Sequence, residues 1–125
     1  MSIHLFNIGI FGLHSGGTSD FKIDCDAFTD RDWKHLARLV ANSLSFQSVI
    51  GIPRGGTKFA EALKKYCSSG KALIVDDVLT TGNSMQAYRE TIGEDTIGVV
   101  VFARGPHQDW IHPIFTLAWK GQLTE

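Results

Sequence analysis

The stretch KALIVDDVLTTGNSM, residues 71–85, decides the fold of this chain, because an apolar run stops in it at two adjacent carboxylates. The run ALIV (72–75) has the length and composition of a buried strand. After DDVLTTG, the segment NSMQAYRETI (83–92) has the pattern of a helix. The stretch therefore predicts a strand, a turn and a helix, with Asp76 and Asp77 in the turn.

The same order occurs once more upstream, in SVIGI (48–52), PRGG (53–56) and TKFAEALKKY (57–66). Downstream, TIGVVVF (96–102) predicts a third buried strand and PIFTLAW (113–119) a fourth. Apolar strands that alternate with helices indicate an α/β fold, with an open, mostly parallel sheet of about four strands that helices flank on both faces.

Ahead of this core, an apolar segment (3–13), the turn residues SGGTSD (15–20) and FKID (21–24) predict a small N-terminal β-hairpin. The segment 29–44 opens with a capping pattern at Thr29 and Asp32 and continues with apolar residues at helical spacing. We expect one domain over 1–125, in which a hairpin hood (1–28) precedes the α/β core (29–125).

Composition excludes several classes of function. Twelve Lys and Arg against 13 Asp and Glu give a formal charge of -1, and the basic residues are scattered, which argues against a nucleic-acid partner. No apolar run approaches 18 residues and no secretory signal is recognisable, so we expect a cytoplasmic protein without membrane contact. Cys25 and Cys67 share no metal-ligand spacing with the histidines, which favours two reduced thiols.

The two turns are expected to lie together, because ligands of open parallel sheets bind at the carboxyl ends of the strands. The segment TTGNS offers backbone N–H groups at a helix start, hydroxyls, and a glycine that permits close approach of a ligand: Thr80, Thr81, Gly82, Asn83 and Ser84. Such a segment is suited to binding a phosphate monoester.

Asp76 and Asp77 precede this segment and are suited to accept hydrogen bonds from sugar hydroxyls or to hold a hydrated metal ion. In the other turn, Arg54 and the N–H groups beside Gly55 and Gly56 could hold a second phosphate group. A ligand with a 5-phosphate, two ring hydroxyls and a diphosphate neutralised by Mg²⁺ satisfies all these features. The Walker, G-x-G-x-x-G and G-x-S-x-G patterns are absent.

The run ALIVDDVLTTGNS resembles the phosphoribosyl diphosphate (PRPP) signature of type I phosphoribosyltransferases. The resemblance implies transfer of a phosphoribosyl group from PRPP to a nitrogenous base with release of pyrophosphate, Mg²⁺ as cofactor, and a homodimer. It implies that Asp76 and Asp77 bind the ribose and act with Arg54 in catalysis. It assigns the 5-phosphate to Thr80, Thr81, Gly82, Asn83 and Ser84, and pyrophosphate to Pro53, Arg54, Gly55 and Gly56.

The segment LHSGGTSDFKID (13–24) is similar to the N-terminal segment of orotate phosphoribosyltransferases. This similarity implies that Phe21 and Arg104 contact the base, and favours an orotate-like pyrimidine. For Arg104, a solvated surface arginine is an equally good interpretation.

The chain departs from the family between the helix 57–66 and the strand 72–75. Only CSSGK (67–71) stands where the family has a further strand and a long flexible hairpin, whose lysine reaches the diphosphate. Two hypotheses follow: a compact phosphoribosyltransferase, or a PRPP- or nucleotide-binding regulatory module that has lost the lid over its site.

Overall fold

The computed structural model describes residues 4–12, 18–93 and 95–116 of the chain. The strands within these ranges are β1 (Phe6–Gly12), β2 (Thr18–Ile23), β3 (Phe46–Gly51), β4 (Lys71–Leu79), β5 (Thr96–Ala103) and β6 (Ile111–Thr116). The α-helices are α1 (Asp30–Ser43), α2 (Thr57–Leu63) and α3 (Asn83–Ile92), with short 3-10 turns at Cys25–Ala27 and Lys64–Tyr66.

Strands β3 to β6 form a parallel sheet in the order β3-β4-β5-β6, and β1 and β2 form a separate antiparallel hairpin. Val75 of β4 lies beside Gly51 of β3 and Val99 of β5. The predicted fold class, an α/β fold with a parallel sheet and an N-terminal hairpin, is confirmed. The carboxyl ends of all four parallel strands therefore lie at one edge of the sheet.

Helix α1 begins at the predicted cap. The Thr29 hydroxyl accepts a hydrogen bond from the Asp32 N–H (3.2 Å), and the Asp32 carboxylate accepts one from the Thr29 N–H (2.8 Å). These bonds satisfy two of the N–H groups that a helix start leaves without partners. They also hold the pKa of Asp32 below its usual value. The buried face of α1 includes Trp33, Leu36 and Val40.

The helices cover both faces of the sheet. Leu73 and Val75 of β4 belong to the apolar cluster that contains the buried side chains of α1 and α2. Ile74, which points to the opposite face because strand side chains alternate, packs in a second cluster with Met85 of α3. Since α2 and α3 lie on opposite faces, the sheet is buried from both sides, as near-continuous apolar strands require.

The three connections in the sheet all advance in one direction, from β3 to β6. The β3–β4 connection passes over one face through α2, and the β4–β5 connection passes over the other through α3. The β5–β6 loop (residues 104–110) follows the α3 face, where Trp110 packs beside Met85 and Gly98. Two crossover connections that join parallel strands in the same direction along the sheet, but cross opposite faces of it, have opposite handedness. The α2 connection therefore differs in handedness from the α3 connection and from the β5–β6 loop.

Several predicted boundaries were wrong. Strand β3 spans Phe46–Gly51 instead of 48–52, and α2 ends at Leu63, with residues 64–66 in a 3-10 turn. Strand β4 continues through Asp76 and Asp77 to Leu79, so the acids lie in the strand and the turn is confined to residues 80–82. Strand β6 begins two residues before the predicted start and ends at Thr116; residues 117–119 of the predicted strand lie outside the described part of the chain. Residues 18–20, predicted as a turn, belong to β2.

Across the described ranges, no helix has both the length and the apolar character that crossing a membrane demands.

Candidate functional site

The two turns predicted to carry chemistry line one pocket of about 1320 Å³ at the carboxyl edge of the sheet. One wall is formed by Pro53, Arg54 and Gly55 of the β3–α2 turn, whereas Gly56 is buried and does not line the pocket. Another wall is the end of β4, and a third is the turn 80–82 with the start of α3. The hairpin strand β2 and the 3-10 turn after it close a further side. The parallel sheet brings these segments together because β3 and β4 are neighbours.

Gly55 of the β3–α2 turn lies against Asp77 near the end of β4. A Cβ atom added to Gly55 would collide with both carboxylate oxygens of Asp77. The carboxylate therefore lies directly on the Gly55 backbone, which only a residue without a side chain allows. This contact fixes the acidic pair relative to the Arg54 turn.

Asp76 and Asp77 are half-buried and hydrogen-bonded to the backbone beside them. The Asp77 N–H donates to Asp76 Oδ1 (2.8 Å), and the Val78 N–H donates to Asp77 Oδ1 (2.7 Å). Burial, followed by the charge of Asp77, raises the pKa of Asp76 to about 8. Near pH 7 the Asp76 carboxyl therefore tends to hold a proton, which allows it to donate as well as accept hydrogen bonds with ligand hydroxyls.

The turn after β4 leaves the start of α3 open to a ligand. Gly82 is the N-cap residue of α3, with φ of 83°, and no side chain caps the helix from that position. The Asn83 N–H lies 3.3 Å from the Thr81 hydroxyl, a long hydrogen bond. The first N–H groups of a helix and its positive dipole end attract an anion. Thr80, Thr81 and Asn83 are exposed beside them.

In the other turn, Arg54 is exposed and lines the pocket. Two backbone hydrogen bonds hold the turn. The Gly56 N–H donates to the Ile52 carbonyl (2.8 Å), and the Ile52 N–H donates to the Val75 carbonyl of β4 (2.9 Å). The Pro53–Arg54 peptide bond is cis. The guanidinium is thus carried on a turn that is hydrogen-bonded to β4.

The two residues predicted to contact a base have different outcomes. Arg104 lines the pocket, and its N–H donates to the Leu79 carbonyl (3.2 Å). Phe21 lies in β2, opposite Ile8, but its side chain is outside the part of the chain that is described. The structure thus places Arg104 in the same pocket as the acidic pair.

Sequence reasoning missed several charged residues that also line the pocket: Lys22, Asp24, Asp26, Lys58 and Glu61. Lys22 and Asp24 belong to the quoted segment FKID, and Lys58 follows PRGG by two positions, so proximity to a predicted loop could have indicated them. Cys25 lies among these acids, and burial, followed by the charge of Asp77, raises the pKa of its thiol. The thiol is accordingly a protonated, unreactive group.

No group of three or more acidic, histidine or cysteine side chains in the described ranges is arranged to hold a metal ion. Asp76 and Asp77 supply carboxylate oxygens, the ligand type that Mg²⁺ prefers, but Mg²⁺ also keeps waters and takes ligands from substrate phosphates. The donor set therefore fits a Mg²⁺ ion that enters with a phosphorylated ligand.

The segment between the 3-10 turn Lys64–Tyr66 and β4 is short and exposed. Residues 67–70 make the whole connection, and the Ser68 N–H donates to the Phe46 carbonyl (2.8 Å). A lid inserted between α2 and β4 is therefore absent from this fully described segment.

Comparison with solved structures places the fold. The chain is similar to orotate phosphoribosyltransferase from Aeropyrum pernix, with a TM-score of 0.68 and 20% identity over 90% of this chain and 88% of that one. It is similar to Leishmania donovani UMP synthase, with a TM-score of 0.69 and 18% identity over 96% of this chain and 34% of that one. Orotate phosphoribosyltransferase from Mycobacterium tuberculosis H37Rv gives a TM-score of 0.63 and 18% identity over 90% and 89%.

These likenesses establish the fold: the chain has the fold of type I phosphoribosyltransferases, and the structures it is similar to include several orotate phosphoribosyltransferases. A scan of family models and a search of curated proteins find no match to the sequence.

Proposed function

We propose that this protein binds PRPP with Mg²⁺ and transfers its phosphoribosyl group to a nitrogenous base, with an orotate-like pyrimidine favoured. The observation that carries the proposal is that one pocket is lined by residues of the PRGG turn, by the acidic pair and by the TTGNS turn. Within this pocket the Asp77 carboxylate lies against the Gly55 backbone. A ligand that fills this pocket has a phosphate at each end and hydroxyls in the middle.

Each part of PRPP has a matching group. The open start of α3 and the hydroxyls of Thr80 and Thr81 suit the 5-phosphate. Asp76 and Asp77 suit the ribose hydroxyls, and Arg54 suits the diphosphate, which guanidinium binds through paired hydrogen bonds. Mg²⁺, when bound, neutralises diphosphate charge and so favours departure of pyrophosphate.

In the proposed reaction, the bond between ribose C1 and the diphosphate oxygen breaks, and its electron pair leaves with pyrophosphate. A base nitrogen forms the new bond to C1 with its own electron pair, and the proton that it carried passes to solvent or to the departing pyrophosphate. Positive charge develops on the ribose ring, and the negative charge of the Asp76–Asp77 pair stabilises it. Arg54 stabilises the charge that builds up on the leaving group.

The base is proposed to lie between Arg104 and the hairpin residues Lys22 and Asp24, which line the same pocket. Of these charged groups, Lys22 and Arg104 favour a base that carries a carboxylate or carbonyl oxygens, and Asp24 can accept a hydrogen bond from a base N–H. The orotate preference rests on this charge and on the fold likeness to orotate phosphoribosyltransferases.

The binding test is calorimetric titration of the protein with PRPP, with and without Mg²⁺. We expect a dissociation constant on the order of micromolar, about 8 kcal/mol, that depends on Mg²⁺. Asp76→Asn/Asp77→Asn should lose binding, whereas Glu90→Gln, which removes an exposed carboxylate outside the pocket, should bind as wild type does. No binding by the folded wild-type protein would overturn the proposal.

A second candidate function is favoured by the short connection 67–70. Without a lid the pocket stays open to water, and water exclusion contributes to this kind of reaction. The protein would then bind PRPP or a nucleotide without turnover, as a regulatory module. Pyrophosphate release that requires both PRPP and a base, measured across a panel of bases, supports the enzyme; tight PRPP binding with no release for any base supports the module.

A further inference from the structure

We propose that Gln108 is a positioning residue that holds the TTGNS turn in its phosphate-binding shape. Gln108 does not line the pocket; it lies in the β5–β6 loop, behind the turn. The inference rests on the function proposed above, because it concerns how the 5-phosphate is bound.

The first observation is a hydrogen bond from the Gln108 side chain to the turn. Gln108 Nε2 donates to the Thr81 carbonyl oxygen, with 3.0 Å between the two atoms. The peptide unit between Thr81 and Gly82 is planar, and its carbonyl and N–H point in opposite directions. Because the carbonyl is directed at Gln108, the Gly82 N–H is directed away from Gln108. Gly82 lines the pocket and Gln108 does not.

The second observation is packing of the same amide against Gly82. A Cβ atom at Gly82 would lie 2.7 Å from Gln108 Nε2 and 2.8 Å from Oε1. The amide thus lies flat on the glycine, and Oε1 is buried with no hydrogen-bond partner. Burial of an oxygen that has no hydrogen-bond partner lowers the stability of the fold. The position of the Gln108 amide therefore costs stability, while its contacts hold the shape of the turn.

The third observation is that the β5–β6 loop is itself fixed. The Gln108 carbonyl accepts a hydrogen bond from the Ile111 N–H (3.1 Å). Trp110 Nε1 donates to Gln86 Oε1 of α3 (3.2 Å), and the Arg89 guanidinium lies 4.7 Å from the Trp110 ring. The loop thus contacts α3 through two side chains of that helix, Gln86 and Arg89. These contacts restrict the movement of the loop that carries the Gln108 amide.

The test compares two ligands that occupy the two ends of the pocket. Gln108→Met keeps the length of the side chain but cannot donate to Thr81. We expect roughly tenfold weaker binding of ribose 5-phosphate, as one lost hydrogen bond implies. Binding of pyrophosphate with Mg²⁺ should stay within about twofold, because the PRGG turn does not contact Gln108. Asp109→Asn, an exposed change in the same loop, should leave both affinities unchanged.

Gln108→Glu adds a readout that depends on pH. A carboxylate opposes the Thr81 carbonyl, whereas a protonated carboxyl can donate to it. The affinity of this variant for ribose 5-phosphate, relative to wild type, should be lowest at pH 8 and should recover toward pH 5. A general loss of packing would give a ratio that does not change with pH.

The outcomes separate this inference from the proposed function. If wild type binds neither ligand, the proposed function fails and the inference with it. If wild type binds both and Gln108→Met binds ribose 5-phosphate equally well, the inference alone fails. Should Gln108→Met not fold, NMR of the wild type decides: phosphate must shift the Gly82 amide proton, and an unmoved Gly82 signal at saturation overturns the inference.

Discussion

At the scale of single residues, the site depends on the close contact between the Gly55 backbone and the Asp77 carboxylate. The Asp77 carboxylate lies where a side chain at Gly55 would be, so it can hold this position only because residue 55 is glycine. Neither the PRGG turn nor the acidic pair can change shape without displacing its neighbour. The pocket is accordingly prepared before a ligand arrives, which lowers the cost of binding.

Gly55→Ala should displace the Asp77 carboxylate and weaken PRPP binding at least tenfold, about 1.4 kcal/mol. Gly55→Ala should also lower the free energy of unfolding, and in an Asp77→Ala background this loss should be much smaller, because the space is then empty. Urea unfolding of the four proteins of this double-mutant cycle measures the coupling without requiring the Asp77 variants to bind PRPP. Additive losses of stability would mean that Gly55 acts by a route other than Asp77.

Asp76 should make stability depend on pH. Its folded pKa of about 8 lies above the ordinary value of 3.8, so the folded protein holds a proton that the unfolded chain releases. The stabilisation is complete below about pH 4 and is lost as the pH rises through about 8. Between pH 5 and 8, urea unfolding should show wild type losing on the order of 1–2 kcal/mol more than Asp76→Asn, after allowance for solvent screening.

The matched control for this measurement is Glu90→Gln, whose stability curve should run parallel to that of wild type. Parallel curves for wild type and Asp76→Asn would contradict the raised pKa.

At the scale of elements, helices were easier to predict than strand ends. The start of α1 follows from Thr29 and Asp32, whose side chains make the hydrogen bonds that their types and spacing predict. The end of β4 was missed because backbone ladders do not depend on side-chain polarity: Asp76 pairs with Val100 as Val75 does with Val99. A change from apolar to charged residues marks the point where full burial ends. In β4 this point comes at Asp76, before the strand itself ends at Leu79.

The candidate site could be predicted in part from the sequence. The segment after β3 and the segment at the end of β4 carry their chemistry in sequence order, so both could be named. The structure brings residues 53–55 and 76–84 to one pocket, and only Gly56 of the named residues in these segments does not line it. Gln108 could not be found in this way, since its partner Thr81 is 27 positions distant and the pairing depends on the path of the β5–β6 loop. Contacts made behind a loop leave no local pattern in the sequence.

Thr29→Ala should lower the free energy of unfolding by about 1 kcal/mol, because it removes the cap of α1. Ser43→Ala at the other end of the helix also deletes a hydroxyl, one that donates to the Leu39 carbonyl (3.0 Å), and should cost little. Urea denaturation of both variants measures the difference. Equal losses would mean that the cap contributes nothing specific.

At the scale of the whole molecule, the connection 67–70 is separate from the binding elements. It is exposed and lies at the opposite end of β4 from the acidic pair. The pocket therefore needs this connection only to have enough length.

Insertion of about ten Gly and Ser residues between Ser68 and Ser69 should cost less than about 1 kcal/mol of stability, since loop closure entropy grows slowly with length. PRPP affinity should be unchanged. The same insertion between Gly82 and Asn83 should abolish binding. Thermal unfolding and calorimetry of the two variants test this, and loss of PRPP binding in the first would show that the connection takes part in the site.

The opposite hands of the α2 and α3 connections have a consequence for the order in which the chain folds. Right-handed connections account for about 98% of parallel units. The α3 connection and the β5–β6 loop share a face, hence a hand, so we infer that the α2 connection is left-handed. Because the right-handed twist of strands favours right-handed connections, we expect β4 to pair with β5 early in folding and β3 to join the sheet later. Kinetic analysis should give high φ-values for core truncations at Met85 and Val100 and low ones at Phe59 and Leu63.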